Sequence, residues 1–285
     1  MKNVLWLAAL SLGMALTLSA GAADEKPTNL ARNGDAETGT LDNWAGFDKA
    51  VTEGVHSGKF CFERKAYAPI QSADLIPIKP EKTYTLSGWF RSIGKEPSMI
   101  YFGYIPCDEN KQVIEPQMVN PVAGTETTLF ADTKRGDKVV KIASGAKWQA
   151  LPYAFIAFDA DDSGNYTDLP NRRLSSMGIL KAEDKGQYWE LQLQEVCGQE
   201  YAAGTKVREH LAGATYIYNA APGMGINPTW GCCTGVIKGV AKSGIPMDHW
   251  WPGTKYARIL ILANHVQKDT ADLLVDDIVL TESDK

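Results

Sequence analysis

Apolar and polar residues alternate with a period of two along most of this chain, and that restricts the fold before any motif is read. In Thr83–Ser92, TYTLSGWFRS, the alternation puts Tyr84, Leu86 and Phe90 on one face and Thr85, Ser87, Trp89 and Arg91 on the other. QYWELQLQEV at 187–196 sets Trp189, Leu191 and Leu193 against Glu190, Gln192 and Gln194. KFCFER at 59–64 separates Phe60 and Phe62 from Cys61, and SMIYFGYIP at 98–106 is apolar on both faces, as a central strand would be. Further strand patterns lie at 215–220, 255–266 and 272–280. Turn-forming runs such as IPIKPEKT, RSIGKEP and CDENKQ separate the strands. Helix is confined to short stretches, with Lys206–Leu211 as the candidate. The class this predicts is all-β: a jelly-roll β-sandwich with long loop insertions. The chain exceeds a minimal sandwich of ~100 residues, so long loops or an added strand pair are expected within 106–182 and 221–252. Without a linker or repeat, residues 23–285 read as a single elaborated domain.

Residues 1–22 read as a signal peptide. Lys2 supplies the positive start, residues 4–18 (VLWLAALSLGMALTL) an apolar run too short for a comfortable membrane span, and Ala20-Gly21-Ala22 a small-residue cleavage site. A retained N-terminal anchor is the alternative. The expected location is secreted, periplasmic or cell-surface, with no membrane span after the leader is removed. Losing the leader removes one lysine and takes the formal charge from −5 to −6. That balance argues against a nucleic-acid partner, which calls for a basic face.

Five cysteines (Cys61, Cys107, Cys197, Cys232 and Cys233) remain, an odd number that leaves at least one thiol over even if export permits disulfides. No CxxC, GxSxG, HExxH or phosphate-cradling glycine loop is present, so no catalytic residue is assigned. The acidic run FDADDSGNYTD at 158–168 begins like a calcium loop through Asp159, Asp161, Ser163 and Gly164. Pro170 stands where the bidentate glutamate belongs, and the run reads as a polar loop.

Four stretches occur in a telling order. NLARNGDAETGTLDNW opens at Asn29, VTEGVHSGKFCFE follows at Val51, IPIKPEKTYTLSGWFRS at Ile76, and LLVDDIVLTE closes the chain from Leu273. This order resembles the jelly-roll carbohydrate-binding modules of the galactose-binding-like superfamily that accompany cellulases. The resemblance covers roughly the first 90 residues and the final strand, and is weak across the middle, where this chain is longer than such modules. It implies a structural calcium ion where the first strand, the HSGK turn and the last strand meet. The matching positions are Asp35, Glu37, the turn carbonyls of His56 and Lys59, and Asp276. Calcium takes about six to eight oxygens and mixes carboxylates with carbonyls, which suits such a set. Alternation along the last strand places Leu274, Asp276, Ile278 and Leu280 on one face; if that face is inward, Asp276 is buried and needs a partner. In the reversed register Asp277 takes its place, and without a metal these residues are an ordinary acidic turn and two capped aspartates.

The resemblance also implies a polysaccharide or glycan partner. Sugar recognition needs aromatic faces and planar polar groups, and the candidates are Trp89 with Arg91, Gln192, Trp230, Trp250 and Trp251. In HWWPGT, two adjacent tryptophans on a strand cannot both point inward, so one of Trp250 and Trp251 is expected at the surface. The expected function is a secreted, non-catalytic carbohydrate-binding protein with structural calcium. The alternatives are an adhesive sandwich for protein–protein contact and, behind it, a glycoside hydrolase or lyase.

Overall fold

The alternating segments fold as antiparallel strands in a computed structural model that describes residues 28–284. The leader assigned to residues 1–22 lies outside those residues. In chain order the first strands are β1 (Trp44–Ala45), β2 (Lys49–Val51), β3 (Cys61–Lys65), β4 (Ala68–Ser72), β5 (Ile76–Pro77), β6 (Thr83–Ser92) and β7 (Ser98–Cys107). Six follow in the middle: β8 (Thr127–Thr128), β9 (Val139–Ile142), β10 (Ala154–Phe158), β11 (Ile179–Asp184), β12 (Trp189–Leu193) and β13 (Lys206–Leu211). The last four are β14 (Ile217–Ile226), β15 (Gly231–Lys238), β16 (Tyr256–Ala263) and β17 (Asp272–Ser283). A single 3-10 turn at Pro116–Met118 is the only helical element among the described residues, and no helix there is long and apolar enough to cross a membrane.

Two sheets face each other as a sandwich. One runs β1-β4-β16-β7-β14, with β5 also paired to β16; the other runs β15-β6-β17-β3-β2. The chain passes repeatedly from one sheet to the other, as jelly-roll connectivity requires. Phe62, Leu86, Phe90, Val275 and Ile278 from the second sheet meet Ile70, Ile100, Phe102, Ile259 and Ile261 from the first in one core. On β6 the alternation is kept residue by residue, with Tyr84, Leu86 and Phe90 fully buried.

The last strand departs from simple alternation. Leu273 and Val275 enter the core, and then Ile278 and Leu280 do, because a bulge between Asp276 and Val279 inserts a residue. Asp277 sits in that bulge at φ 47°. Leu274 and Asp276 therefore do not share a face with Ile278 and Leu280. They point outward from the five-stranded sheet.

The enlarged middle is not loop but six strands in two three-stranded sheets, β10-β13-β8 and β11-β12-β9. They enclose a second core that includes Leu129, Val140, Trp148, Phe158, Leu191 and Leu193. Lys206–Leu211 is strand β13 rather than a short helix. Six residues bury too little to hold an isolated helix, whereas here Val207 and Leu211 turn one way into the second core. Arg208 and His210 turn the other way.

Trp250 and Trp251 correct the expectation of a surface tryptophan: both are fully buried in the main core. The pleat rule does not bind them. Trp250 makes one isolated bridge to Val240, and Trp251 starts a turn closed by Thr254, whose N–H and Oγ1 both donate to the Trp251 carbonyl. The Trp250 ring packs 4.8 Å from Tyr104 and 5.6 Å from Tyr84.

Candidate functional site

The first and last stretches of the chain do meet. Asn29 spans them, donating from Nδ2 to the Ile278 carbonyl and accepting from the Leu280 N–H. The turn that contains His56 and Lys59 is gripped at both ends by carboxylates. Asp276 Oδ2 accepts the His56 and Ser57 amides at 3.0 and 3.2 Å, and its Oδ1 accepts the Asp277 amide at 2.8 Å. Glu37 Oε1 accepts the Lys59 and Phe60 amides at 2.7 and 3.0 Å. Those two amides, Phe60 first, hold the Glu37 carboxyl below the usual range. Asp276 is fully buried, and burial pushes its carboxyl upward. Asp35 is exposed and its Oδ1 accepts only the Glu37 amide, at 3.3 Å.

Asp277 and His56 complete the clasp. The Asp277 Oδ2 lies 2.7 Å from His56 Nδ1, and its Oδ1 accepts the Ser57 hydroxyl at 3.0 Å. His56, Asp276 and Asp277 form the one His/Cys/Asp/Glu group among the described residues compact enough to hold a metal. Sequence reasoning had to choose between the two aspartates; the bulge uses both. Of the expected calcium positions, Asp35 and Glu37 stand outside that compact group.

Three of the expected ligand residues gather on the outer face of the five-stranded sheet. Trp89 lies directly across from Asp276, and the His56 ring stacks on it at 3.9 Å. Trp230 meets the edge of His56 at 5.5 Å and donates to the Gly54 carbonyl. Arg91, across from Leu274, donates from Nε to the Pro228 carbonyl at 2.9 Å. Gln192 is exposed on β12, in the inserted unit, and does not join them. Trp250 and Trp251, in the core, cannot present a ring to any ligand.

The most extensive aromatic surface lies on the opposite side of the molecule, and sequence reasoning missed it. Along β7, Ile100, Phe102 and Tyr104 point inward, so Tyr101 and Ile105 point outward. Along β16, Leu260 and Leu262 also point outward, and with Tyr218 they floor a small apolar cluster. On this floor the rings run Tyr67, His265, Tyr101, Tyr218, Tyr216, with successive centroids 5.6, 4.8, 4.8 and 6.2 Å apart. Tyr67 is 40% exposed and Tyr218 only 8%, so the band runs from the surface into the sheet. Burial, and then the neighbouring phenols Tyr216, Tyr101 and Tyr67, push the Tyr218 hydroxyl up to about 12. Gly223, at φ 85°, leaves room for the Tyr101 phenol: a Cβ there would stand 3.2 Å from its oxygen. Gln71, across from Leu260, and Arg258, across from Ile105, add planar polar groups to the same face. The signal was present in the period-two pattern of SMIYFGYIP and TYIYNA, but a pattern apolar on both sides does not say which side stays open.

The inserted unit holds a separate charged network. Arg208, fully buried, donates to Asp168 Oδ2 at 2.9 Å and from Nε to His210 Nε2 at 3.1 Å. His210 Nδ1 lies 2.7 Å from the Gln117 carbonyl, which fixes Nδ1 as the protonated nitrogen. The acidic loop before it is self-capped. Asp161 accepts the Thr167 and Ser163 amides and the Thr167 hydroxyl; the Thr167 amide first, then the Ser163 side chain and amide, lower its carboxyl far below the usual range. All five cysteines are free thiols, and only Cys232 is exposed.

No protein-family model and no curated protein matches the chain. Among solved structures it is similar to the CBM22-1 xylan-binding domain of Paenibacillus barcinonensis Xyn10C, at 10% identity and TM-score 0.35, over 87% of this chain and 91% of that one. A family 16 carbohydrate-binding module matches at 15% identity and TM-score 0.32, over 89% and 99% of the two chains. TmCBM61 in complex with β-1,4-galactotriose matches at 10% and 0.33, over 90% and 99%. All three are carbohydrate-binding modules. At these levels of similarity, fold and function rest on the residues described above.

Proposed function

We propose that this protein binds a glycan across the aromatic band on the outer face of the six-stranded sheet. The observation that carries the reading is the five-ring run from Tyr67 to Tyr216 over an apolar floor. A pyranose has an apolar C–H face and a rim of hydroxyls. Tyrosine rings take the first, while phenols, Gln71, Arg258 and His265 supply donors and acceptors for the second. The test is retention of the protein in gels containing soluble polysaccharides, repeated with Tyr67→Ala and Tyr101→Ala. At least one polysaccharide should retard the native protein, and each variant should weaken that binding about tenfold. Undiminished retardation of both variants, or no retardation by any polysaccharide, would end this reading.

A calcium ion at the clasp and export through the leader belong to the same proposal. The donor set supports calcium because it is all oxygen and rich in carboxylate. Asp276 and the carbonyls of the His56–Lys59 turn would hold the ion, with Glu37 fixing that turn through the Lys59 and Phe60 amides; Asp35 and Glu37 themselves lie outside the compact group. Glu37 Oε2 accepts no hydrogen bond in the described structure. The ion would tie the two ends of the chain together, on the sheet opposite the tyrosines. The apolar run of residues 4–18 supports export.

A further inference from the structure

Two depressions adjoin through Ile93, one at the end of the sandwich, where the β6–β7 connection meets the end of β14 and the loop after it, and the other beside β2 and β3. The first, of about 450 Å³, is walled by Arg91, Ile93, Lys95, Pro97, Ile226 and Pro228. No acidic residue lines it, although the protein as a whole carries a net negative charge. Arg91 and Lys95 have no ion-pair partner among the described residues. Arg91 is nevertheless held in place: its Nε–H donates to the Pro228 carbonyl, and its terminal nitrogens make no other hydrogen bond. Lys95 is positioned by its own N–H, which donates to the Thr270 carbonyl. The second depression, of about 440 Å³, contains acid as well as base: Glu53 and Glu63 line it beside Lys49. Glu63 is nine-tenths buried and balanced by Lys49 and Lys65 at 3.4 and 3.3 Å.

We propose that this pair of depressions is a binding site for a carboxylate-bearing sugar, a uronic acid unit, separate from the tyrosine face. The guanidinium of Arg91 offers the planar fork that matches a carboxylate, and Lys95 adds a second charge. Ile93, Ile226 and the two prolines accept the apolar ring face. Glu53, which forms no ion pair among the described residues, repels an anion and accepts hydroxyls, so the ligand lies with its carboxylate toward Arg91 and its hydroxyls toward Glu53. The adjoining charges of opposite sign thus set a direction as well as a charge preference.

The experiment is calorimetric titration of the full protein with tri-galacturonate, its methyl ester and acetate. Tri-galacturonate should bind, more weakly as ionic strength rises, and both the ester and acetate should fail to bind. Arg91→Gln and Lys95→Gln should each weaken tri-galacturonate about tenfold, and Tyr101→Ala should leave it unchanged. Lys95 is exposed, so Lys95→Gln carries the test even if the Arg91 variant loses stability. The site is refuted if tri-galacturonate does not bind, if the ester binds as well, or if Lys95→Gln has no effect. Equal binding of acetate would refute the sugar assignment, and loss of binding in Tyr101→Ala would place the ligand on the tyrosine face instead.

Discussion

Glu209 and His210 are neighbours on one strand, yet they face opposite surroundings and respond to pH in opposite senses. Glu209 turns with Val207 and Leu211 toward the second core. Its carboxylate accepts only the Gln149 amide, at 3.2 Å from each oxygen, and burial pushes it up to about 7. Burial, and then the Arg208 charge, lower His210 to about 4. For Glu209 the folded pKa lies above the ordinary 4.5, so its contribution to stability is complete below that value and lost as pH rises through about 7. For His210 the folded pKa lies below the ordinary 6.5, so its contribution is complete above that value and lost as pH falls through about 4. The two together place the most stable range between those ordinary values. Urea denaturation should show stability nearly level between about pH 5 and 6.5, where the two trends offset, and falling by on the order of 1 kcal/mol by pH 8; Glu209→Gln should remove that fall and leave stability rising from about pH 5 to 6.5. A Glu209→Gln curve parallel to the native one would show that the carboxylate does not titrate there.

At the scale of the elements, β7 is the strand on which both the core and the tyrosine face depend. Gly103 sits between Phe102, directed inward, and Tyr104, and it faces outward beside the bulged strand β14. A Cβ there would stand 1.9 Å from the Ile217 carbonyl oxygen, a backbone atom that cannot move alone. Gly103→Ala should therefore cost about 3 kcal/mol or more, read as a lowered urea midpoint. A cost under about 0.5 kcal/mol would mean that β14 is not held against β7 as described. Much of this level was legible in the sequence. The alternation of Thr83–Ser92 and of Trp189–Leu193 fixes their inner and outer faces, because each strand has one polar side. Other features left no such mark. Nothing in LLVDDIVL announces the bulge at Asp277, which moves Asp276 to the outer face. Lys206–Leu211 carries helix-favouring residues, and only the pairing with Ala154–Phe158 makes it a strand. Trp250 and Trp251 both turn inward because they leave the strand at that point. Tyr101 was readable as half of a strand apolar on both sides, but which side stays uncovered depends on where the other sheet lies.

At the scale of the whole molecule, the sandwich carries different features on its two outer faces. One carries the clasp that joins the chain ends through Asn29, Glu37 and Asp276; the other carries the aromatic band. If calcium binds at the clasp, it stabilises the native state by mass action, about 2.7 kcal/mol when the free ion is at a hundred times its Kd. Millimolar calcium should then raise the melting temperature above that measured in EDTA, and Glu37→Gln should erase most of the difference. Identical melting curves in calcium and EDTA would remove the ion from the account and leave the amide-gripped turn as the whole clasp. The meeting of the two chain ends was legible from NGDAETG, HSGK and VDDIVL. The second core and the tyrosine face were not, because they arise from packing between distant segments. The claim on which the functional reading depends is that the face carrying Tyr67, Tyr101 and Tyr218 binds glycan. Its most direct measurement is the affinity of the native protein and of Tyr101→Ala for the polysaccharide that retards the native protein most. The account predicts about a tenfold loss with an unchanged melting temperature; equal affinities in two folded proteins would contradict it.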